Sequence, residues 1–197
     1  MKIFFCAPAA ALLTFAGSLW IDKLYRTNTE LTFPEKIFER AKFRKPLLFV
    51  ALTVFFCLSA NPWISAAIFL LTLMTFTDFE QYMLFDAMTL PLAIIGVLYA
   101  LQTNFLDGVL ASIIGGGIFL LLALTTKALG GGDVKLIAAL GFWFGCEKLL
   151  NVVLIGSIAG GISALLMILS KQKDRSSYFA YGPYFTLTAI YFLLTLC

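Results

Sequence analysis

Histidine is absent from this 197-residue chain. Its absence removes the commonest general acid–base side chain, the usual serine and cysteine triads, and every histidine-ligated zinc site. Charge is scarce as well. Asp, Glu, Lys and Arg make up 13% of the residues, about half the fraction of a soluble domain. The four cysteines (Cys6, Cys57, Cys146, Cys197) are far apart and form no C-x-x-C pair, which excludes a zinc ribbon. No internal repeat or low-complexity segment is evident. A formal net charge of +3 is too small to imply a nucleic-acid partner.

What remains is apolar. Hydrophobic residues make up 61% of the chain and mean hydropathy is +0.96, so the expected class is an all-α membrane bundle, built as one unit. The uncharged stretches are 3–21, 46–77, 87–106, 108–126, 136–146, 149–170 and 176–197. A span needs roughly 20 residues, so 46–77 is too long for one. Asn61-Pro62 divides it into a helical hairpin, 46–60 and 62–77. The total is about eight transmembrane helices.

The cations test that count. Loops on one side carry Lys23, Arg26, Lys36, Arg40, Lys42, Arg44 and Lys45, then Lys127 and Lys135, then Lys171, Lys173 and Arg175, which is 12 of the 14 Lys and Arg. Only Lys2 and Lys148 fall opposite. The positive-inside rule makes the rich side cytoplasmic and requires the short 136–146 segment to cross. These loops set topology and meet anionic lipid. The first span is expected to stay attached, since cleavage would export the basic 22–45 loop.

With histidine gone, carboxylates lead any chemistry. Asp78, Glu80, Asp86 and Asp133 all fall at the cytoplasmic membrane edge on this topology. Acids within spans are costly and tend to be functional. Asp78 closes an apolar run, and Asp133 follows Gly130-Gly131-Gly132. Three glycines let the backbone bend and another chain approach. The bland alternative is a flexible loop whose Asp133 caps the next helix. Asp86, ahead of Ala87 to Pro91, reads as a helix N-cap, and Glu80 as a solvated neighbour. No G-K-[ST] follows the glycines, so they do not form a phosphate loop.

These residues resemble a family. Asp78 to Asp86, followed by Thr89-Leu90-Pro91-Leu92, is similar to the D-x-x-x-x-x-x-P-D-x-x-T-L-P-L stretch of type IV prepilin peptidases. Gly130-Gly131-Gly132-Asp133-Val134-Lys135-Leu136 matches their G-x-G-D-x-K-L motif, and Tyr181-Gly182-Pro183-Tyr184 their F-G-P-[FY]. The resemblance runs from about residue 44 to the C-terminus. It implies a membrane aspartic endopeptidase core over 46–197, in the bacterial cytoplasmic membrane. Asp78 and Asp133 are its implied catalytic pair, with prepilins or pseudopilins as substrates and no cofactor or metal. Gly182-Pro183 would break the start of the last helix near the site. Lys135 would mark the interface or support an aspartate.

The chain also departs from the pattern. Phe85 stands where the family has proline before Asp86. Gly17-Ser18 and Tyr25-Arg26 resemble the end of the family's first helix, but Ile21 occupies an asparagine position. The family's long loop with paired C-x-x-C motifs is reduced, within 1–45, to about 20 residues without cysteine. That loop is associated with N-methylation of the processed pilin, so leader cleavage without methylation is expected. Two other readings use the same acids. A presenilin-like protease lacks its Tyr-Asp and P-A-L signatures here. A transporter would relay protons through Asp78 and Asp133 or hold a cation among the four acids, but no paired inverted repeats are seen.

Overall fold

The computed structural model describes residues 2–29, 31–59, 61–126, 130–170 and 180–196. Among them all regular structure is helical: α1 (Lys2–Thr27), the 3₁₀ turn η1 (Pro34–Lys36), α2 (Ile37–Arg40), α3 (Arg44–Leu58), α4 (Pro62–Gln81), α5 (Asp86–Gln102), α6 (Phe105–Thr126), α7 (Gly131–Leu169) and α8 (Gly182–Thr195). A helix satisfies its own backbone hydrogen bonds, which is what lipid demands. Three stretches are long and apolar enough to cross a bilayer, Pro62–Gln81, Phe105–Thr126 and Gly131–Met167. α6 leaves Leu110, Ile113, Leu121 and Leu124 more than half exposed, an apolar face suited to lipid rather than water. The architecture is an all-α membrane bundle.

α4 is the central helix. Thirteen of its residues are buried, including Ile68, Leu71, Leu73 and Met74. It begins where Asn61-Pro62 divides the long apolar run: the Asn61 side chain accepts the Trp63 N–H at 2.9 Å, and proline needs no donor in the first turn. The helix ends at Tyr82, which takes a left-handed conformation (φ 54°) and returns its N–H to the Asp78 carbonyl at 2.9 Å.

The stretches expected at 136–146 and 149–170 form one helical element folded back on itself at Gly145. Gly145 has φ 66° and ψ −177°, a conformation that favours glycine. A Cβ on Gly115 of α6 would meet both Ile137 at 3.3 Å and Leu149 at 2.7 Å. In a continuous helix those two residues would stand about 18 Å apart along the axis, so the arms 131–144 and 146–169 reverse direction. The Asp107 carboxylate accepts the Cys146 N–H at 3.2 Å and caps the second arm. The expected crossing of 136–146 therefore corresponds to a real helix. Its turn lies at Gly145, ahead of the charged pair Glu147 and Lys148.

Charge gaps set other boundaries too early. α1 continues past Ile21 through Asp22, Lys23 and Arg26. Residues 31–43 then strap the end of α4. Phe33 and Gln81 exchange hydrogen bonds at 2.9 and 3.3 Å. The Arg40 guanidinium lies over the Phe33 and Tyr82 rings, 4.3 and 4.9 Å from their centroids, and donates to the Phe79 carbonyl at 3.0 Å. The cations Lys127, Lys171, Lys173 and Arg175, and the expected helical start at 176, lie outside the described residues.

Candidate active site

Three helix ends converge on Asp78. It sits in the last turn of α4 and is 5% exposed. The first residue of α8, Gly182, directs its backbone N–H toward the Asp78 carboxylate, a helix N-terminus facing an anion. A Cβ on Gly182 would fall 2.6 Å from Asp78 Oδ2 and 3.3 Å from Leu84, so glycine is what permits the approach. Pro183 follows in the first turn of α8, where a proline costs no hydrogen bond. Farther along the same two helices, Thr75 and Thr186 pair their hydroxyls at 2.7 Å, tying α4 to α8.

Asp133 lies at the third position of α7. Its Oδ2 accepts the N–H of Gly130, the residue before the helix, at 3.3 Å. That is one half of a capping box, a side chain at N3 reaching back to the cap backbone. Asp133 is therefore not itself the N-cap, and its aim is fixed by the glycine turn. A Cβ on Gly132 would meet Leu84 at 2.9 Å. This glycine makes room for the chain's own α4–α5 connection rather than for a visitor. Gly130 and Gly131 are exposed, and nothing lies within 4 Å of the Cβ position of Gly131.

Leu84 thus lies against both Gly132, next to Asp133 in sequence, and Gly182, which adjoins Asp78, and the Asp133 charge bears on Asp78. Asp78 Oδ2 is buried with no hydrogen-bond partner among the described residues. A buried carboxylate oxygen left unpaired is expensive, and such groups mark functional positions.

The other predicted acids have different surroundings. Glu80 is 4% exposed, contrary to the solvated expectation. Its Oε2 accepts from the Tyr25 hydroxyl at 2.9 Å and from Arg44 Nη1 at 3.0 Å. Arg44, itself 5% exposed, also pairs with Asp22. The network joins α1, α3 and α4 and gives the buried Glu80 charge a cation, while Glu80 Oε1 and Arg44 Nε, like Asp78 Oδ2, have no hydrogen-bond partner among the described residues. Asp86 is the first residue of α5 behind the N-cap Phe85, which makes no side-chain cap bond. Instead of capping, Asp86 accepts both of its bonds from Lys135 Nζ, at 2.7 and 2.6 Å. Lys135 thus serves an aspartate, though not one of the central pair. Among the described residues no three of these acids come together closely enough to hold a cation.

Sequence reasoning missed Tyr25, Arg44, Leu84, Thr75 and Thr186. The two threonines carry a legible signal, hydroxyls in otherwise apolar spans near Asp78 and Gly182. Leu84 carries none, because its role depends on which glycines it touches.

The protein is a helical membrane bundle with Asp78 buried at the end of α4 and Asp133 half-buried at the start of α7. The chain belongs to the type IV leader peptidase family, whose model matches residues 64–165 and so includes both aspartates. It is similar to the prepilin leader peptidase/N-methyltransferase of Neisseria gonorrhoeae, 36% identical over 61% of this chain and 43% of that one. For the protein of the same name from Aeromonas salmonicida the figures are 34%, 70% and 52%. For that of Escherichia coli they are 31%, 72% and 61%. The chain spans about half the length of the curated relatives it matches. No solved structure matches.

Proposed function

We propose that the chain is an aspartic endopeptidase that removes the short basic leader of prepilins or pseudopilins, after glycine, at the cytoplasmic face of the bacterial inner membrane. The observation that carries this reading is the unpaired buried Oδ2 of Asp78 interacting with Asp133. The family supplies the reaction class. Residues 46–197 form the peptidase core, with 1–45 an abbreviated N-terminal region. The multi-pass topology and the cytoplasmic aspect of the site rest on 12 of 14 Lys and Arg falling on one side.

In this mechanism the aspartates share one proton. The ionised carboxylate takes a proton from water, and the oxygen attacks the scissile carbonyl carbon. The protonated carboxyl donates to the carbonyl oxygen, giving a tetrahedral diol. The proton gained by the base passes to the amide nitrogen, a diol hydroxyl returns its proton to the other carboxylate, and the C–N bond breaks. The leader leaves as a carboxylic acid and the pilin as a new N-terminal amine. The two groups titrate as a pair, so neither role belongs to one residue at rest. Gly182 N–H steadies the negative charge on Asp78. The strap that holds the end of α4 contains no cysteine pair, so cleavage proceeds here without methylation.

The test is processing of a purified prepilin in liposomes by wild type, Asp78→Asn and Asp133→Asn, read by the mass of the product. Loss of cleavage in both variants supports the reading. Full processing by either one rejects it.

A further inference from the structure

The four residues that follow Asp78 are each held by the 25–44 region. The Phe79 carbonyl accepts from Arg40 at 3.0 Å. Glu80 accepts from Tyr25 and Arg44. The Gln81 side chain exchanges hydrogen bonds with the Phe33 backbone. The Tyr82 ring meets the Phe33 ring edge-on at 5.2 Å and lies beneath the Arg40 guanidinium. Arg40 therefore reaches both ends of this turn, Phe79 and Tyr82. The last carbonyls of a helix lack partners within it, and a cation there also meets the negative end of the helix dipole. Among the described residues, Tyr82 is the one residue other than glycine with a positive φ. A side chain disfavours that conformation by about tenfold. The turn leads into the connection that places Leu84 against Gly132 and Gly182, and its N–H returns to the Asp78 carbonyl.

We propose that Arg40 is a positioning residue for the peptidase site: by clamping the left-handed turn at Tyr82 it fixes the end of α4, and with it the aim of Asp78. The proposal rests on the leader-peptidase reading, since that reading makes Asp78 a reacting group. A helix that ends in glycine takes this turn without help. Here the position is tyrosine, and its ring is what the strap grips. Strap and turn are matched: without the clamp, Tyr82 gains by leaving the left-handed conformation, and Leu84 moves with it. Arg40 lies outside the 64–165 stretch matched by the family. The abbreviated N-terminal region thereby contributes to cleavage itself.

The experiment uses the full chain in liposomes with a purified prepilin. Arg40→Met should lower kcat about tenfold, the bias against a left-handed tyrosine, with KM little changed. Glycine takes the turn freely, so adding Tyr82→Gly should restore most of kcat. An arginine that only stabilised the fold would not be rescued by removing a further ring. Phe33→Leu loosens the same clamp if Arg40→Met does not accumulate. A second readout needs no catalysis. In a chain whose four native cysteines are alanines, Leu84→Cys and Gly132→Cys are oxidised to a disulfide. An added Cβ on Gly132 falls 2.9 Å from the Leu84 Cβ, close to the roughly 3.5–4.5 Å of a disulfide. Arg40→Met should slow this crosslink about tenfold, and Tyr82→Gly should restore it. Crosslinking at the unsubstituted rate in Arg40→Met, or a loss that Tyr82→Gly does not repair, overturns the proposal. If Asp78→Asn and Asp133→Asn still cleave while the crosslink follows Arg40, the catalytic reading falls and the clamp stands. If those variants are inactive but Arg40→Met changes neither kcat nor the crosslink, the reverse holds.

Discussion

Gly182→Ala should cripple catalysis while leaving the bundle folded. The added Cβ would sit 2.6 Å from Asp78 Oδ2 and 3.0 Å from its Cγ, where ordinary contact begins at 3.4 Å. Either the carboxylate or the start of α8 must yield by about 0.8 Å. Leu84, 3.3 Å away on another side, limits the escape. Overpacking of this kind costs about 1–3 kcal/mol of stability. Displacing a reacting group by about 1 Å costs roughly 100-fold in rate. The expected result is therefore a fall in kcat/KM of about 10- to 100-fold, equivalent to about 1.4–2.7 kcal/mol of barrier. Initial rates of prepilin cleavage measure the first effect, and thermal unfolding in detergent the second. A Gly182→Ala protein that cleaves at the wild-type rate would refute the placement of Asp78 against α8.

Arg44→Met should destabilise the fold by about 3–5 kcal/mol, because it leaves Glu80 buried without its cation. Adding Glu80→Leu should recover much of that loss in the same unfolding assay. Gly145→Ala should lower the unfolding temperature, since alanine is strained at φ 66° and its Cβ would collide with Asp107. A chelator should leave prepilin cleavage unchanged in rate, because the mechanism draws only on water and two carboxyl groups.

The helix-end positions of Asp78 and Asp133 were legible because the apolar runs stop or start there, in the last turn of α4 and the first turn of α7, whereas their pairing came from the motif resemblance. The Asn61-Pro62 division was legible for a local reason: a side-chain cap and a proline act within a few residues. Glu80 was misread because its partner Arg44 is 36 positions away, and local pattern holds no trace of that bond. Asp86 was misread for the same reason, since Lys135 draws it off the cap. The helix ends were set short by counting charges as boundaries. Asp22 and Arg26 lie within α1, and Asp22 is paired by a distant arginine. The turn at Gly145 escaped because the nearby charges Glu147 and Lys148 gave a stronger signal than one glycine.

The most direct test of the account is a double-mutant cycle on prepilin cleavage with Asp78→Asn, Asp133→Asn and the pair together. Two carboxyl groups that work as one unit lose nearly everything with the first substitution, so their effects do not add. The account predicts that each single variant falls at least 1,000-fold, about 4 kcal/mol, and that the double variant is no worse than either. A single variant that retains near-normal cleavage, or two partial losses that multiply in the double variant, would contradict it.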